Sequence, residues 1–225
     1  MKGKPKGNKA LIESERLTTF INSMEEDLPS YLSEHEKQAI ADEVPIIRKD
    51  MQGFLKFLIK TKKPKRILEV GTATGFSALL MAEYMPKDAV ITTIEKYEKR
   101  IPIAKENIKK AGKEDVITLM EGDATDILPA LNGEYDFIFM DAAKGQYLSF
   151  LKDAVRLLSP GGTLLTDNVL QDGDILESRY GVCRRNRTIH ARMREYLYEL
   201  KHHPLLDTVI LTVGDGAAVS VKKET

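Results

Sequence analysis

The chain has 225 residues, of which 42% are apolar and 30% charged, with 9 prolines. That length and composition suit one compact domain with a full hydrophobic core, and exclude extended disorder or a fibrous protein. Lysine plus arginine total 34 and aspartate plus glutamate 34, so net charge points to no partner.

The distribution of charge says more. The opening MKGKPKGNK carries Lys2, Lys4, Lys6 and Lys9 without an acid, and 6 of the 11 arginines fall between Ser178 and Arg194, a window without a carboxylate. Residues 1–9 are expected to form a flexible basic tail and residues 10–225 a single domain. Cys183 is the only cysteine; with no disulfide partner in its own chain it fits a reducing compartment. No signal-peptide core is present, and no apolar run approaches the roughly 20 residues of a membrane helix. A soluble cytoplasmic protein without a membrane partner is expected.

From about Ala10 to Lys60 the apolar period is helical, with Leu17, Phe20, Ile21 and Met24 on one face and Phe54, Leu55, Leu58 and Ile59 on another. Pro29 and Pro45 should break the region into short helices. After Pro64 short apolar runs alternate with helical stretches. The expected strands are Arg66–Val70, Ala89–Glu95, Val116–Glu121, Tyr135–Met140 and Thr163–Asp167. The helical period between them is clearest at Ile101, Ala104, Ile108 and Ala111. Strand, helix and strand at this spacing imply an α/β fold with a mostly parallel sheet and helices on both faces. A further helix should bury Ile189, Met193, Tyr196, Leu197 and Leu200. Two last strands, Thr208–Val213 and Ala217–Lys222, are joined by Gly214-Asp215-Gly216 and suggest an antiparallel hairpin.

The chemistry collects at strand ends. After the first strand stands Glu69-Val70-Gly71-Thr72-Ala73-Thr74-Gly75-Phe76-Ser77. Gly71 and Gly75 let the backbone turn sharply and approach a ligand before a helix begins. Ala73 occupies the place of the middle glycine of a dinucleotide loop, and Glu69 suits a sulfonium or ammonium cation better than a diphosphate. An ordinary strand-to-helix turn would also use these glycines. Glu95, 24 residues after Gly71, ends the second strand where an acid accepts ribose hydroxyls. Asp123, in Gly122-Asp123-Ala124, fits either an adenine amino group or the N-cap of the helix at Thr125–Leu131. The fourth and fifth strands end at Asp141 and at Asp167-Asn168. Adjacent strands would bring these three oxygen donors together as ligands for Mg²⁺ or another divalent cation, although each acid could simply cap a helix. Lys144 in the first turn of a helix opposes the helix dipole, so either a catalytic task or plain solvation must account for it.

Together these segments resemble the cation-dependent O-methyltransferases, the group containing catechol and caffeoyl-CoA O-methyltransferases. The shared elements are the loop from Glu69 to Ser77, the acid Glu95, the D-x-x-K-x-x-Y run of Asp141, Lys144 and Tyr147, and the pair Asp167-Asn168. The resemblance implies a Rossmann-like class I methyltransferase fold: a seven-stranded sheet with a reversed last strand, extra N-terminal helices and often a homodimer. It implies S-adenosyl-L-methionine as donor, lying along Ile46, Glu69, Gly71, Thr72, Gly75, Phe76, Ser77, Glu95, Asp123, Ala124 and Asp141. Methyl transfer from a sulfonium needs an oxygen nucleophile that is ionised or nearly so. A metal on Asp141, Asp167 and Asn168 would acidify that hydroxyl, and Lys144 would take its proton or steady the oxyanion, which makes Asp141 and Lys144 the catalytic pair.

Beyond Asn168 the chain departs from the small-molecule members. DNVLQDGD, SRYGV and RRNRTIH resemble the bacterial tRNA 5-hydroxyuridine methyltransferases, which make 5-methoxyuridine at the wobble position. On this resemblance the acceptor is the 5-hydroxyl of a base in a tRNA anticodon loop, with Arg179, Arg184, Arg185 and Arg187 on phosphates and Tyr180 stacked on the base. A solvated helix face or a dimer salt-bridge set would use the same arginines. The competing substrate is a small catechol or phenol. A nucleotide-binding protein or NAD oxidoreductase would want a third glycine at Ala73 and has no use for Asp167-Asn168. His190 reads as helix packing or an RNA contact, because no second histidine stands at ligand spacing.

Overall fold

The computed structural model describes residues 16–178 and 180–224. The basic tail over residues 1–9 and Arg179 lie outside the described residues. Residues 16–22 are helical, followed by α1 (Ser30–Ala41) and α2 (Lys49–Lys62). Pro29 is the N-cap residue of α1, where its fixed φ costs no hydrogen bond. The inward stripe of α2 is Met51, Leu55, Leu58 and Ile59. Leu17, Phe20, Ile21 and Met24 behave differently, since their apolar face stays exposed.

The rest of the chain alternates: β1 (Arg66–Val70), α3 (Phe76–Tyr84), β2 (Val90–Glu95), α4 (Ile101–Lys110), β3 (Ile117–Glu121), α5 (Ala124–Ala130), β4 (Tyr135–Met140), α6 (Tyr147–Leu157), β5 (Leu158–Thr166), α7 (Arg187–His202), β6 (Leu206–Leu211) and β7 (Ala217–Lys222). The seven strands form one sheet in the order β3-β2-β1-β4-β5-β7-β6. The first five pair in parallel, while β7 runs antiparallel to both β5 and β6. This is the expected Rossmann-like sheet with its reversed last strand.

Both faces of the sheet are covered, and successive residues of one strand feed opposite cores. Leu68, Ile138 and Leu164 pack with Phe150, Met193 and Tyr196 of α6 and α7. Ile67, Phe137 and Leu165 pack on the other side with Leu32, Met51 and Leu79 of α1, α2 and α3. The strand order reverses between β1 and β4, so the carboxyl ends there open a crevice for a ligand. No helix among the described residues is long and apolar enough to cross a membrane.

β2 and β3 start one residue later than the sequence pattern implies, and β5 and β6 differ from it by more. β5 starts at Leu158, ahead of the Pro160-Gly161-Gly162 run, because Leu158 pairs with Tyr135 before the register shifts. β6 starts two residues early at Leu206, opposite Lys222, which frees Val213 to close the hairpin turn with Gly216. On α7 the buried stripe is His190, Met193, Tyr196 and Leu200 rather than one that includes Ile189.

Candidate active site

A cavity of about 760 Å³ opens at the carboxyl ends of β1, β2, β4 and β5. That volume falls within the range of sites that enclose a small organic ligand. At its base the chain leaves β1 through Gly71, whose φ of +104° and tight fit exclude any side chain, since a Cβ would overlap the carbonyl oxygen of Asp141. Ala73 takes a left-handed φ of 47°, a strained choice for a non-glycine residue. Thr74 anchors the loop from below. Its hydroxyl meets His35 Nε2 at 3.1 Å, and its carbonyl accepts from Asn107 Nδ2 at 3.0 Å.

Of the expected donor-site residues, Ile46, Gly71, Thr72, Phe76 and Ser77 line the cavity, as do Glu95, Asp123, Ala124 and Asp141. Glu69 and Gly75 are not on its wall. Glu69 is fully buried beneath the loop, and its Oε2 accepts the Thr93 hydroxyl at 2.5 Å. Thr93 also meets Thr72 at 2.5 Å, so Glu69 reaches the wall through two hydroxyls. Burial pushes its carboxyl up to about 7, against the pull of Ser77 and Thr93. The Glu95 carboxylate holds the loop directly: Oε2 accepts from the Ala73 N–H at 2.7 Å, and Oε1 from the Lys96 and Tyr97 N–H groups. Asp123 caps α5 by accepting from the Thr125 N–H at 2.9 Å, and its other oxygen pairs with Lys96 at 3.2 Å.

Asp141, Lys144, Asp167 and Asn168, at the ends of β4 and β5, share the same wall. Asn168 Nδ2 points at Asp141 Oδ1 at 3.4 Å, while its N–H donates to Asp167 Oδ1 at 2.7 Å. Asn168 has a left-handed φ of 61°, so the backbone bends to bring its carboxamide to the acids. Burial raises both carboxyls, Asp167 to about 7, with the charge of Asp141 adding to the shift. Two acids and one amide converge, and among the described residues no three His, Cys, Asp or Glu side chains are grouped to hold a metal ion.

Lys144 lies in a short 3-10 turn, Lys144–Gln146, and not in the first turn of α6. Its cation is met there by an acid: Nζ reaches Asp215 Oδ2 at 3.2 Å. Asp215, almost fully buried in the β6–β7 turn, also accepts the Asp172 N–H. In the sequence Asp215 reads only as part of a turn; an acid between two hairpin glycines is the available signal. Arg48, which carries no local sequence signal, also lines the cavity and pairs with Asp172 at 2.6 Å. Tyr147, fully buried, donates to the Asp167 carbonyl at 3.2 Å and accepts the Ala142 N–H at 3.3 Å, stitching the ends of β4 and β5 together.

The arginine-rich segment divides in two. Arg187 donates to the Val182 carbonyl, Arg192 to the Gly145 carbonyl and Arg194 to the Ile175 carbonyl. Arg184 and Arg185 are exposed. Tyr180 is 84% exposed, with the Arg187 guanidinium 5.8 Å from its ring centre. None of these residues lines the cavity. His190 is buried, and neither ring nitrogen has a hydrogen-bond partner among the described residues.

A loop of donor type, acids at the ends of β2, β3, β4 and β5, and a reversed last strand accompany a match of residues 22–223 to the family model for O-methyltransferases. The chain belongs to the O-methyltransferase family. A catechol O-methyltransferase from Niastella koreensis is 38% identical over 128 residues, 55% of this chain and 58% of that protein. The caffeoyl-CoA O-methyltransferase of Medicago sativa is 30% identical, the match covering 95% of this methyltransferase and 91% of the plant protein. Among solved structures, the SAH-bound methyltransferase PaMTH1 of Podospora anserina superposes with a TM-score of 0.86 at 28% identity, covering all of both chains.

Proposed function

We propose that this O-methyltransferase moves the methyl group of S-adenosylmethionine to a ring hydroxyl with a second oxygen beside it, of catechol or caffeoyl type. The observation that carries this reading is one cavity whose wall holds both Gly71, Thr72, Ala73, Phe76 and Ser77 of the loop after β1 and Asp141, Lys144, Asp167 and Asn168. The catechol and caffeoyl-CoA O-methyltransferases among its relatives and the SAH in the related structure support it. S-adenosylmethionine, when bound, supplies an electrophilic methyl group on a sulfonium centre.

The donor set at the β4 and β5 ends fits a hard divalent cation. Two buried carboxylates repel each other there, and the one nearby ammonium is already paired with Asp215. Asp141, Asp167 and the Asn168 carboxamide would hold the ion, which would acidify the acceptor hydroxyl and favour two adjacent oxygens. Lys144 serves as a cation, its ammonium ion-paired with Asp215 at 3.2 Å. It steadies the oxyanion as the hydroxyl loses its proton.

A second reading keeps wobble 5-hydroxyuridine in tRNA as acceptor. Its ring hydroxyl beside a carbonyl presents the same pair of oxygens, and Tyr180, Arg184 and Arg185 are exposed in the segment after Asn168. The relatives support the small phenol more directly. Three arginines of that segment are also spent on the protein's own carbonyls. One assay separates the readings: purified protein and labelled donor with catechol, caffeoyl-CoA, and tRNA bearing or lacking 5-hydroxyuridine, each with and without EDTA. Labelled catechol or caffeoyl-CoA is the expected result, abolished by EDTA. Labelling confined to hydroxyuridine-bearing tRNA would replace the first reading with the second, and labelling that survives chelation would remove the metal.

A further inference from the structure

Arg192 lies in the arginine-rich window, yet its contact is internal. Nη1 donates to the carbonyl of Gly145 at 3.0 Å. Gly145 is the middle residue of the three-residue turn that begins with Lys144. Such a turn has poor hydrogen-bond geometry and few bonds of its own; here its backbone closure includes a bond from the Gln146 N–H to the Ala143 carbonyl at 2.8 Å. The turn is also packed from the side of α7, since a Cβ on Gly145 would sit 3.7 Å from Arg192 Nη1 and 3.9 Å from Ile189 Cγ1. The turn is thus held at two points, the Lys144 ammonium by Asp215 and the carbonyl of the next residue, Gly145, by Arg192.

We propose that Arg192 is a positioning residue for Lys144: the bond from α7 to the Gly145 carbonyl sets where the ammonium stands in the cavity. This rests on the charge-steadying role given to Lys144 above. Arg192 does not line the cavity, so it acts on the acceptor only through the turn. A displacement of about 1 Å at a reacting group is enough to cost a large factor in rate. Neighbouring Arg194 makes the comparable bond to the Ile175 carbonyl at 2.8 Å, in the loop after β5 and away from the Lys144 turn, and serves as the control.

A double-mutant cycle on kcat tests this, using the full chain with donor, divalent metal and whichever acceptor the assay above identifies. Arg192→Ala should lower kcat about tenfold with acceptor KM and donor affinity unchanged, in keeping with lost positioning. Arg192→Lys, which can still offer one donor to Gly145, should recover most of it, and Arg194→Ala should not reproduce the loss. In a Lys144→Met background, Arg192→Ala should cost nothing further. Additive losses in the double variant would overturn the proposal alone. Wild-type kcat in Lys144→Met would remove the role of Lys144 itself, and the proposal with it.

Discussion

Glu69 shows how one residue carries an energetic cost for the site. Its ordinary value is 4.5, and burial raises it to about 7. The folded chain therefore holds a proton that the unfolded chain releases at lower pH. Stability from this group is greatest near pH 4, falls as pH rises toward 7, and is flat above. At full burial the loss is on the order of 3 kcal/mol as an upper bound. Glu69→Gln should therefore melt several degrees above the parent at pH 8 and coincide with it near pH 4, by thermal unfolding without donor or metal. A variant no more stable than the parent at pH 8 would show that the Thr93 hydroxyl already compensates the buried charge.

At the scale of elements, the site is a junction of strand ends, and Tyr147 joins two of them. Its hydroxyl donates into β5's exit and accepts from β4's exit, so the spacing of Asp141 and Asp167 depends on the first residue of α6. Tyr147→Phe keeps the ring in the core but leaves the Ala142 N–H and the Asp167 carbonyl without that partner. The expected cost is about 1–2 kcal/mol of stability, read as a fall in melting temperature, with a loss of kcat at unchanged donor affinity. Unaltered kcat would mean that the strands alone hold the two acids. The same logic explains the loop after β5. Asn168, Gln171, Asp172 and Gly173 all have positive φ, and the hairpin turn secures this bent run by accepting from Leu170 and Asp172.

Over the whole molecule, positive and negative side chains balance, so long-range attraction to a polyanion must come from a local patch. Among the described residues of the arginine-rich window, Arg184 and Arg185 make no hydrogen bond or ion pair within the chain and are the two available to an outside phosphate. Arg184→Ala with Arg185→Ala should leave methylation of a small phenol unchanged. If RNA is the acceptor, the same pair should lower tRNA affinity and flatten its dependence on salt by about one to two phosphate contacts. Unchanged tRNA affinity and salt slope in the double variant would show that this pair contacts no phosphate.

Sequence by itself determined the order of elements, the parallel sheet with its closing hairpin, and the positions of the chemistry-bearing residues at strand ends. Each of these follows from local periodicity and turn residues, which act over a few positions. Tertiary structure decided which of those side chains face the cavity. Glu69 lies beneath the loop because alternation along β1 points it into the core with Ile67, and Glu95 is committed to the loop backbone because Ala73 is folded over it. Partners distant in sequence also had no local signature: Lys144 with Asp215, Arg48 with Asp172, and Arg192 with Gly145. Those pairings arise because parallel strands and their crossover helices bring remote segments to one sheet edge, and no spacing rule along the chain encodes that meeting.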